Sequence, residues 1–300
     1  MRRLQPIQLP GANSPVARVS DLRAAGVPHN RLYASDQARP IYGVASLEGV
    51  DPTSFATRVA ATQTLLKAGT FLSRRTAARM LGLPVDRGSE RIDVGGVRPE
   101  MPPRRAGMAP HQIRPGQLSE LPQGPNWLPQ PADAWALLGA VSTVDELVVA
   151  GDFVLSGPTR FAPALCRLED LTAAVARFAG TKGASRLREA LPLLRTGVES
   201  PAESRIRLQI VRAGLPAPQT CCPVPTVFRV YHADLGYARW KIAIEYQGEY
   251  HYTGGLEQAR RDNERHEAMR AAGWRVLFAT AHDLRDPRNF LARLAEAIRA

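Results

Sequence analysis

The sequence predicts an α/β fold for residues 197–300, preceded by an α+β, mainly helical region over 1–196. Three observations carry that expectation. The last hundred residues switch between helical and extended periodicity in the order helix, strand, strand, helix, strand, helix. WKIAIEYQ (240–247) alternates as a half-buried strand does, and RVLFAT (275–280) is a short apolar run fit for a buried sheet position. Before residue 197, helix-like stretches dominate and the extended ones are short.

In chain order, residues 1–15 are polar with Pro and Gly and read as a loose tail. SPVARVSDLRAAGVPHNRLYA (14–34) reads as helix, turn, helix: Ser20 is placed to cap the first helix, Gly26 to break it and Pro28 to open the second. RPIYGVA (39–45) reads as a short strand. Residues 16–50 thus have the pattern of a small winged helix-turn-helix, which a helical hairpin with packing duty alone would also match.

Residues 51–196 form a mostly helical middle region. From residue 53 on, Leu65, Leu66, Leu72, Met80, Leu81 and Leu83 mark a helical core face, and Ser73 is a candidate cap. Arg74, Arg75 and Arg79 cluster on one turn, as a solvated basic face or a phosphate contact. RIDVGGV (91–97) and HQIRP (111–115) read as strands. ADAWALLGAV, TVDELVVAGDFVLS and about 168–178 read as helices. Gly197 and Ser200-Pro201 put a domain boundary near 195–200.

Beyond it, SPAESRIRLQIVRAGL (200–215) reads as a helix ended by Gly214, and VFRVYHADLGY (227–237) as a strand. In 240–247, Trp240, Ile242, Ile244 and Tyr246 face one way and Lys241, Ala243, Glu245 and Gln247 the other. A long helix stopped by Gly273 and a closing helix over DPRNFLARLAEAIRA complete the pattern.

Of the 300 residues 44% are hydrophobic and 22% charged, as in soluble globular proteins, and the absence of an apolar run of about 18 argues against a membrane span. MRRLQPIQLPGANSP lacks the apolar stretch of a secretory signal. The three cysteines, Cys166, Cys221 and Cys222, have no framework spacing, which points to a reducing cytoplasm, and no His/Cys cluster suggests structural zinc. The net charge is +11, and residues 1–130, with 17 basic and 9 acidic residues, hold most of the surplus. A basic surface attracts nucleic acid by releasing phosphate counterions. Codon bias is the competing explanation, because only Lys67, Lys182 and Lys241 among the 39 basic residues are lysine.

SDLRAAGV, IYGVA and LSRRTAARMLGLP, in that order, resemble the N-terminal region of the type IV abortive-infection antitoxin (AbiEi-like) family over roughly residues 15–155. The third stretch departs from the family form, with Arg74 where a His follows the Ser. SPAESRIR, the Asp of HADLGY, AIEYQGEYH, RRDNERHEAM and AAGWRVL, in order over about 197–285, resemble the PD-(D/E)xK nuclease superfamily, in detail its very-short-patch-repair-like (Vsr-like) endonucleases. That resemblance implies a restriction-endonuclease-like fold, a mixed central sheet flanked by helices, and a DNA endonuclease or nickase dependent on Mg2+ or Mn2+.

Phosphodiester hydrolysis needs a polarised phosphoryl oxygen and a water made nucleophilic near pH 7, and a hard divalent ion on two carboxylates provides both. Asp234 and Glu245, eleven positions apart, are the candidate metal ligands. A plain hairpin register would set Asp234 nearer Lys241, so both reach one ion only if the hairpin is splayed. The bland alternatives are an Asx turn at Asp234 and an edge-strand acid paired with Lys241 at Glu245. Gln247 stands where the superfamily has Lys; a neutral amide cannot act as a base but can orient water or a phosphate oxygen. His251 is the candidate general acid/base. Glu203 corresponds to the first-helix acid, although Ser200-Pro201-Ala202-Glu203 is also a capping box in which Glu203 would bond back to the Ser200 amide. Asp262 and Arg265 match the family's RD-x-x-R and read as an intrahelical pair with a structural role.

Arg31, Arg39, Tyr250, Tyr252 and Arg261 are candidate nucleic-acid contacts. The expected partner is DNA, with no membrane and no small-molecule cofactor; a homodimer or a toxin partner is left open. Two competing functions stand beside the nuclease: a DNA-binding antitoxin-like regulator with an inactive nuclease-fold domain, and a protein-binding adaptor.

Overall fold

Helices and strands alternate along the chain, and among the described residues three separate sheets form. The computed structural model describes residues 14–34, 38–46, 49–86, 88–124, 126–159, 162–248 and 255–300. They divide into two units, one reaching Val141 and including Asp170–Ala184, the other comprising Ser142–Glu169 and Ser185–Ala300. Among the described residues, no helix is long and apolar enough to cross a membrane.

The first unit begins with β1 (Val16–Arg18), α1 (Val19–Ala24), α2 (His29–Leu32) and β2 (Val44–Ser46). Val19, Leu22, Leu32 and Ala45 share one small core. Two expectations are corrected. Ser20 does not cap α1: Arg18 holds the cap position and the Ser20 hydroxyl donates to Asp21 Oδ1 at 3.0 Å. Residues 16–18 are a strand paired antiparallel with 44–46, with a β-branched valine on each strand, Val16 and Val44, favouring the extended form. The strand expected over 39–45 shrinks to Val44–Ser46, with Ile41 making only an isolated bridge.

α3 (Phe55–Gln63) starts on Ser54, whose hydroxyl accepts from Thr57 N. After it, β3 (Thr70–Leu72) runs where helix was expected, and Leu72 serves a sheet core. β3 pairs antiparallel with β4 (Ile92–Val97), and β4 parallel with β5 (Met108–Ile113). Gly95 is required in this sheet: a Cβ there would stand 2.4 Å from the Phe71 ring. α4 (Arg74–Met80) and α5 (Pro131–Leu138) belong to this unit. The arginines of α4 form no solvated basic face. Arg75 donates to Val141 O, Arg79 stacks 3.4 Å over the Phe55 ring, and Arg74 is drawn inward. Ser73 does hold the cap position of α4, but its hydroxyl makes no capping bond and lies 3.2 Å from His111 Nε2.

α6 (Val144–Ser156), with a capping box between Thr143 and Glu146, leads to α7 (Leu168–Arg177) and α8 (Ala184–Ala190). The second unit continues with α9 (Pro201–Arg212), β6 (Gln219–Pro225), β7 (Val230–Tyr237), β8 (Ile242–Gln247), α10 (Gly255–Ala271), β9 (Arg275–Thr280), α11 (Ala281–Arg285) and α12 (Arg288–Arg299). Its mixed sheet has the order β6-β7-β8-β9, with β8 and β9 parallel and the other neighbours antiparallel. β6 was not expected, since QTCCPVP has two prolines and no clean alternation. β7 starts at Val230, after a turn in which Thr226 N donates to Arg229 O. Trp240 lies in a 3-10 turn and Lys241 is left-handed (φ 50°), so β8 starts at Ile242.

Both faces of this sheet are covered. Ile242 and Ile244 pack with Ile206 and Ile210 of α9 and Phe290 and Leu294 of α12. Ala243 packs the other way, with Met269 of α10 and Trp274. Beneath α9 lies the fully buried Asp152 of α6. It accepts from Arg207 Nη2 and Ser204 Oγ, both at 2.6 Å, and from Arg195 N at 2.7 Å. That network fixes the first turns of α9, where Glu203 sits.

Candidate active site

The β7–β8 register pairs Leu235 with Ile244 and Tyr237 with Ile242. Continued by one residue, it sets Asp234 opposite Glu245. This corrects the register expected from the hairpin, because residues 238–241 are spent in the turn and its left-handed Lys241. The ladder ends just there. The Tyr246 amide donates at 2.7 Å to the carboxylate Oδ2 of Asp234. Asp234 is therefore a strand residue and not an Asx turn.

A second irregularity meets it from the other side. On β6, Cys221 is left-handed (φ 47°) and stands opposite Asp234, between the pairs Thr220–Leu235 and Cys222–Ala233. Ala233 packs toward α10 and Leu235 toward α9. Side chains two apart on a regular strand share a face, so β7 changes face across Asp234. Its carboxylate consequently acts on acids belonging to both sides of the sheet.

Glu245 is 4% exposed. β8 is an interior strand, so Glu245 is not an edge acid, and its partner is not Lys241. Arg265 Nη2, from α10, donates to Glu245 Oε1 at 3.0 Å and to His232 O at 2.5 Å. His266 Nε2 lies 4.0 Å from Glu245 Oε2, its ring edge-on to Phe278. Burial pushes the Glu245 carboxyl up to about 8; Asp234 adds to the rise, Arg265 opposes it, and Glu203 and Asp262 raise it further.

Glu203 is 5% exposed at the third position of α9. Ser200 does cap that helix, its hydroxyl accepting from Glu203 N at 3.3 Å. The reciprocal bond differs from the capping box expected, since Glu203 Oε2 accepts from Glu199 N at 2.9 Å. Burial first, then Asp234, pushes Glu203 up to about 7. Three carboxyl groups from one helix and two strands thus repel one another inside the unit, with Arg265 the cation that acts on Glu245. Two buried acids cost several kcal/mol when ionised, and the apolar packing around Ile242 and Ile244, about 2 kcal/mol per buried side chain, offsets that cost.

Gln247 is exposed at the end of β8, paired with Thr280 of β9. His251, Tyr250 and Tyr252 lie outside the described residues. Arg261 is exposed on α10 and pairs with Glu257 at 3.7 Å. In the first unit, Arg39 is exposed, stacks 4.4 Å over the Tyr33 ring and donates to Leu32 O, while Arg31 is half-buried. Arg265 does more than the intrahelical reading expected: it reaches Glu245 across the sheet face. Helical spacing held the signal, since Arg265 and Met269 recur at i and i+4 on the face of α10 that meets the sheet. His266 carried no comparable signal.

Oxygen donors suited to a hard divalent ion are those of Asp234 and Glu245. Among the described residues, no group of three or more His, Cys, Asp or Glu is gathered tightly enough to hold a metal by itself.

No family model matches the chain, and no solved structure matches it. Two curated proteins of Mycobacterium tuberculosis are similar to it: uncharacterized protein MT2308 of strain CDC 1551 / Oshkosh and uncharacterized protein Rv2248 of strain ATCC 25618 / H37Rv. Each is 29% identical over 132 residues, 43% of this chain and 48% of the relative. The match thus spans about half the length of these relatives.

Proposed function

We propose that the second unit is a metal-dependent DNA endonuclease or nickase with the restriction-endonuclease-like fold, and that the helix-turn-helix pattern near the N-terminus contributes DNA affinity. The observation that carries this reading is the placement of Asp234 opposite Glu245 where the β7–β8 ladder opens. The succession of helix, three strands, helix and strand, with β9 parallel to β8, supports it.

The donor set fits Mg2+ or Mn2+. Burial and mutual repulsion hold Glu203 and Glu245 well above the ordinary carboxylate range, which is the condition a cation relieves. Mg2+ is commonly held by one or two carboxylates plus waters and substrate phosphate, so two suffice. Asp234 and Glu245 would hold the ion, which when bound polarises a phosphoryl oxygen and lowers the pKa of water.

The chain's own groups supply the rest. Arg265 stabilises the ionised form of Glu245 and fixes its orientation. The Tyr246 amide does the same for Asp234. Glu203, titrating near neutrality, can hold or release a proton beside them. Gln247, exposed at the strand end, can orient water or a phosphate oxygen through its amide. The same residue favours a second reading, an antitoxin-like DNA-binding regulator in which this centre is inactive, because an amide there supplies no cationic charge.

Nicking of supercoiled plasmid and cutting of single-stranded DNA, with Mg2+ or Mn2+ against EDTA, separates the two. Cleavage lost in both Asp234→Ala and Glu245→Ala is the expected result. Salt-dependent DNA binding with no cleavage under any condition favours the regulator.

A further inference from the structure

In the second unit, the hairpin of β6 and β7 continues beyond the point where β7 parts from β8. β7 pairs with β8 only as far as Leu235–Ile244, whereas β6 and β7 stay paired out to Pro225–Val230. The outer part of the hairpin is thus a two-stranded ribbon that starts at Asp234 and leads away from the acidic centre.

The base of the ribbon is anchored. Cys222, Val224 and Ala233 pack with Met269 and Trp274, and Arg265 Nη2 donates to His232 O at 2.5 Å. The tip is closed by Thr226, whose amide and hydroxyl both donate to Arg229 O, at 3.0 and 2.7 Å. Between these two residues stand Val227 and Phe228, each 90% exposed, and Val230 beside them is 52% exposed.

Turn chemistry does not call for these side chains. Two-residue hairpin loops favour Asn-Gly or Asp-Gly, which reach the dihedrals of the turn without strain. Val227-Phe228 gives up that advantage, and also the gain that apolar side chains make on leaving water. Apolar residues held at the end of an anchored arm are suited to entering a partner.

Three features point to the partner. From Pro216 to Ala233 the chain carries Arg229 and no acid, so a polyanion meets no repulsion there. The apolar patch is confined to the tip: among the described residues of the second unit, the other large apolar side chain that is exposed is Leu168 of α7. A protein interface takes about 20–30 residues a side, and this patch suits a wedge instead. Finally, Phe228 lies six residues from Asp234, about 20 Å along an extended strand. That is about six base-pair steps of about 3.4 Å, so one duplex reaches both.

We propose that the β6–β7 hairpin is a wedge for duplex DNA. Phe228 enters the base stack of the duplex held at Asp234 and Glu245, Val227 lies in the groove beside it, and Arg229, stacked 4.5 Å over the Tyr231 ring, meets the flanking phosphate. The wedge rests on the DNA reading of the acidic centre and adds the element that deforms the substrate, since an inserted apolar side chain unstacks a base step and kinks the duplex.

Short duplexes carrying 2-aminopurine, whose fluorescence rises when the base unstacks, test this with the full chain at low salt, in Mg2+ and in EDTA. Fluorescence should rise when the wild type binds. Phe228→Ala should lose that rise and bind about tenfold more weakly, as loss of a base–aromatic stack does, and Phe228→Trp should keep both. Arg229→Ala should lower the salt slope of binding by about one. All three change exposed side chains, so unchanged urea midpoints verify the fold. The proposal is overturned if no duplex is bound, or if Phe228→Ala binds and unstacks as the wild type does. It is equally overturned if that substitution dissociates a dimer, or frees the chain from phosphatidylserine vesicles, while DNA affinity stays unchanged. Unstacking that depends on Phe228 without any cleavage keeps the wedge and removes the nuclease. Cleavage with no unstacking by the wild type keeps the nuclease and removes the wedge.

Discussion

Arg265 on α10 donates to Glu245 on β8 at 3.0 Å, and that one bond joins the long helix to the acid at the centre of the sheet. It is the guanidinium partner of a carboxyl that burial and three neighbouring acids, Asp234, Glu203 and Asp262, otherwise drive toward its neutral form. Arg265→Ala should raise the Glu245 pKa above about 8 and destabilise the protein at pH 7.5 by about 1–2 kcal/mol. Urea unfolding reads the second effect. Arg265→Lys should recover part of it, since a Lys keeps the charge without the planar fork.

Asp234→Asn should abolish cleavage yet stabilise the metal-free protein near pH 8 by roughly 1 kcal/mol. The amide oxygen can still accept from Tyr246 N, and the charge that raises both Glu203 and Glu245 is gone. Parallel denaturant curves and plasmid nicking decide it; a variant that loses both stability and activity would speak for a purely structural Asp234.

Stability of the metal-free protein should fall as pH rises from about 5 to 8. Glu203 and Glu245 titrate near 7 and 8 in the folded chain, above the ordinary 4.5. Over that window the folded state holds protons that the unfolded state has already released, so unfolding is favoured as pH rises. Below about 4.5 both states are protonated and the contribution is flat. Mg2+ at millimolar concentration should reverse much of the loss at pH 8 and little at pH 5, because ligands must be ionised to bind. Unfolding midpoints at pH 5, 6.5 and 8, with and without Mg2+, measure this.

Asp152→Ala leaves the Arg207 guanidinium, 2% exposed, buried without its carboxylate, and removes the acceptor for Ser204 and for the Arg195 amide. A loss of about 3–5 kcal/mol is expected, read as a lowered urea midpoint. Glu203, one residue from Ser204, should then lose its fixed position.

Gln247→Lys introduces the residue type found at this place in the nuclease superfamily that the sequence resembles. Because Gln247 is exposed, the change should alter stability by less than about 0.5 kcal/mol. In a working centre, single-turnover cleavage rates should change by tenfold or more, and an inactive domain should show no cleavage in either form.

Much of the secondary structure was legible because its signals are local. Ser200-Pro201 and Gly214 bound α9, Gly273 ends α10, and the alternation of β8 and the apolar run of β9 are visible in a few consecutive residues. Strands without such signals were not legible: β1 and β3 lie in helix-like sequence, and β6 carries two prolines. Their extended form depends on partners far along the chain, which supply the hydrogen bonds that local propensity does not secure.

The acids themselves illustrate the division. Sequence by itself determined that Glu203, Asp234 and Glu245 stand at a helix start and on neighbouring strands, since capping and period-2 alternation are properties of short segments. Tertiary structure alone decided that Asp234 faces Glu245, that β7 turns over at Asp234 opposite Cys221, and that Arg265 reaches the sheet. It alone left the tip of the β6–β7 hairpin, with Phe228, beyond the β7–β8 ladder. The physical reason is register. A one-residue slip in a hairpin exchanges the faces of every side chain, and the turn at 238–241 that sets it puts Lys241 in the left-handed region, where no glycine marks the turn in the sequence.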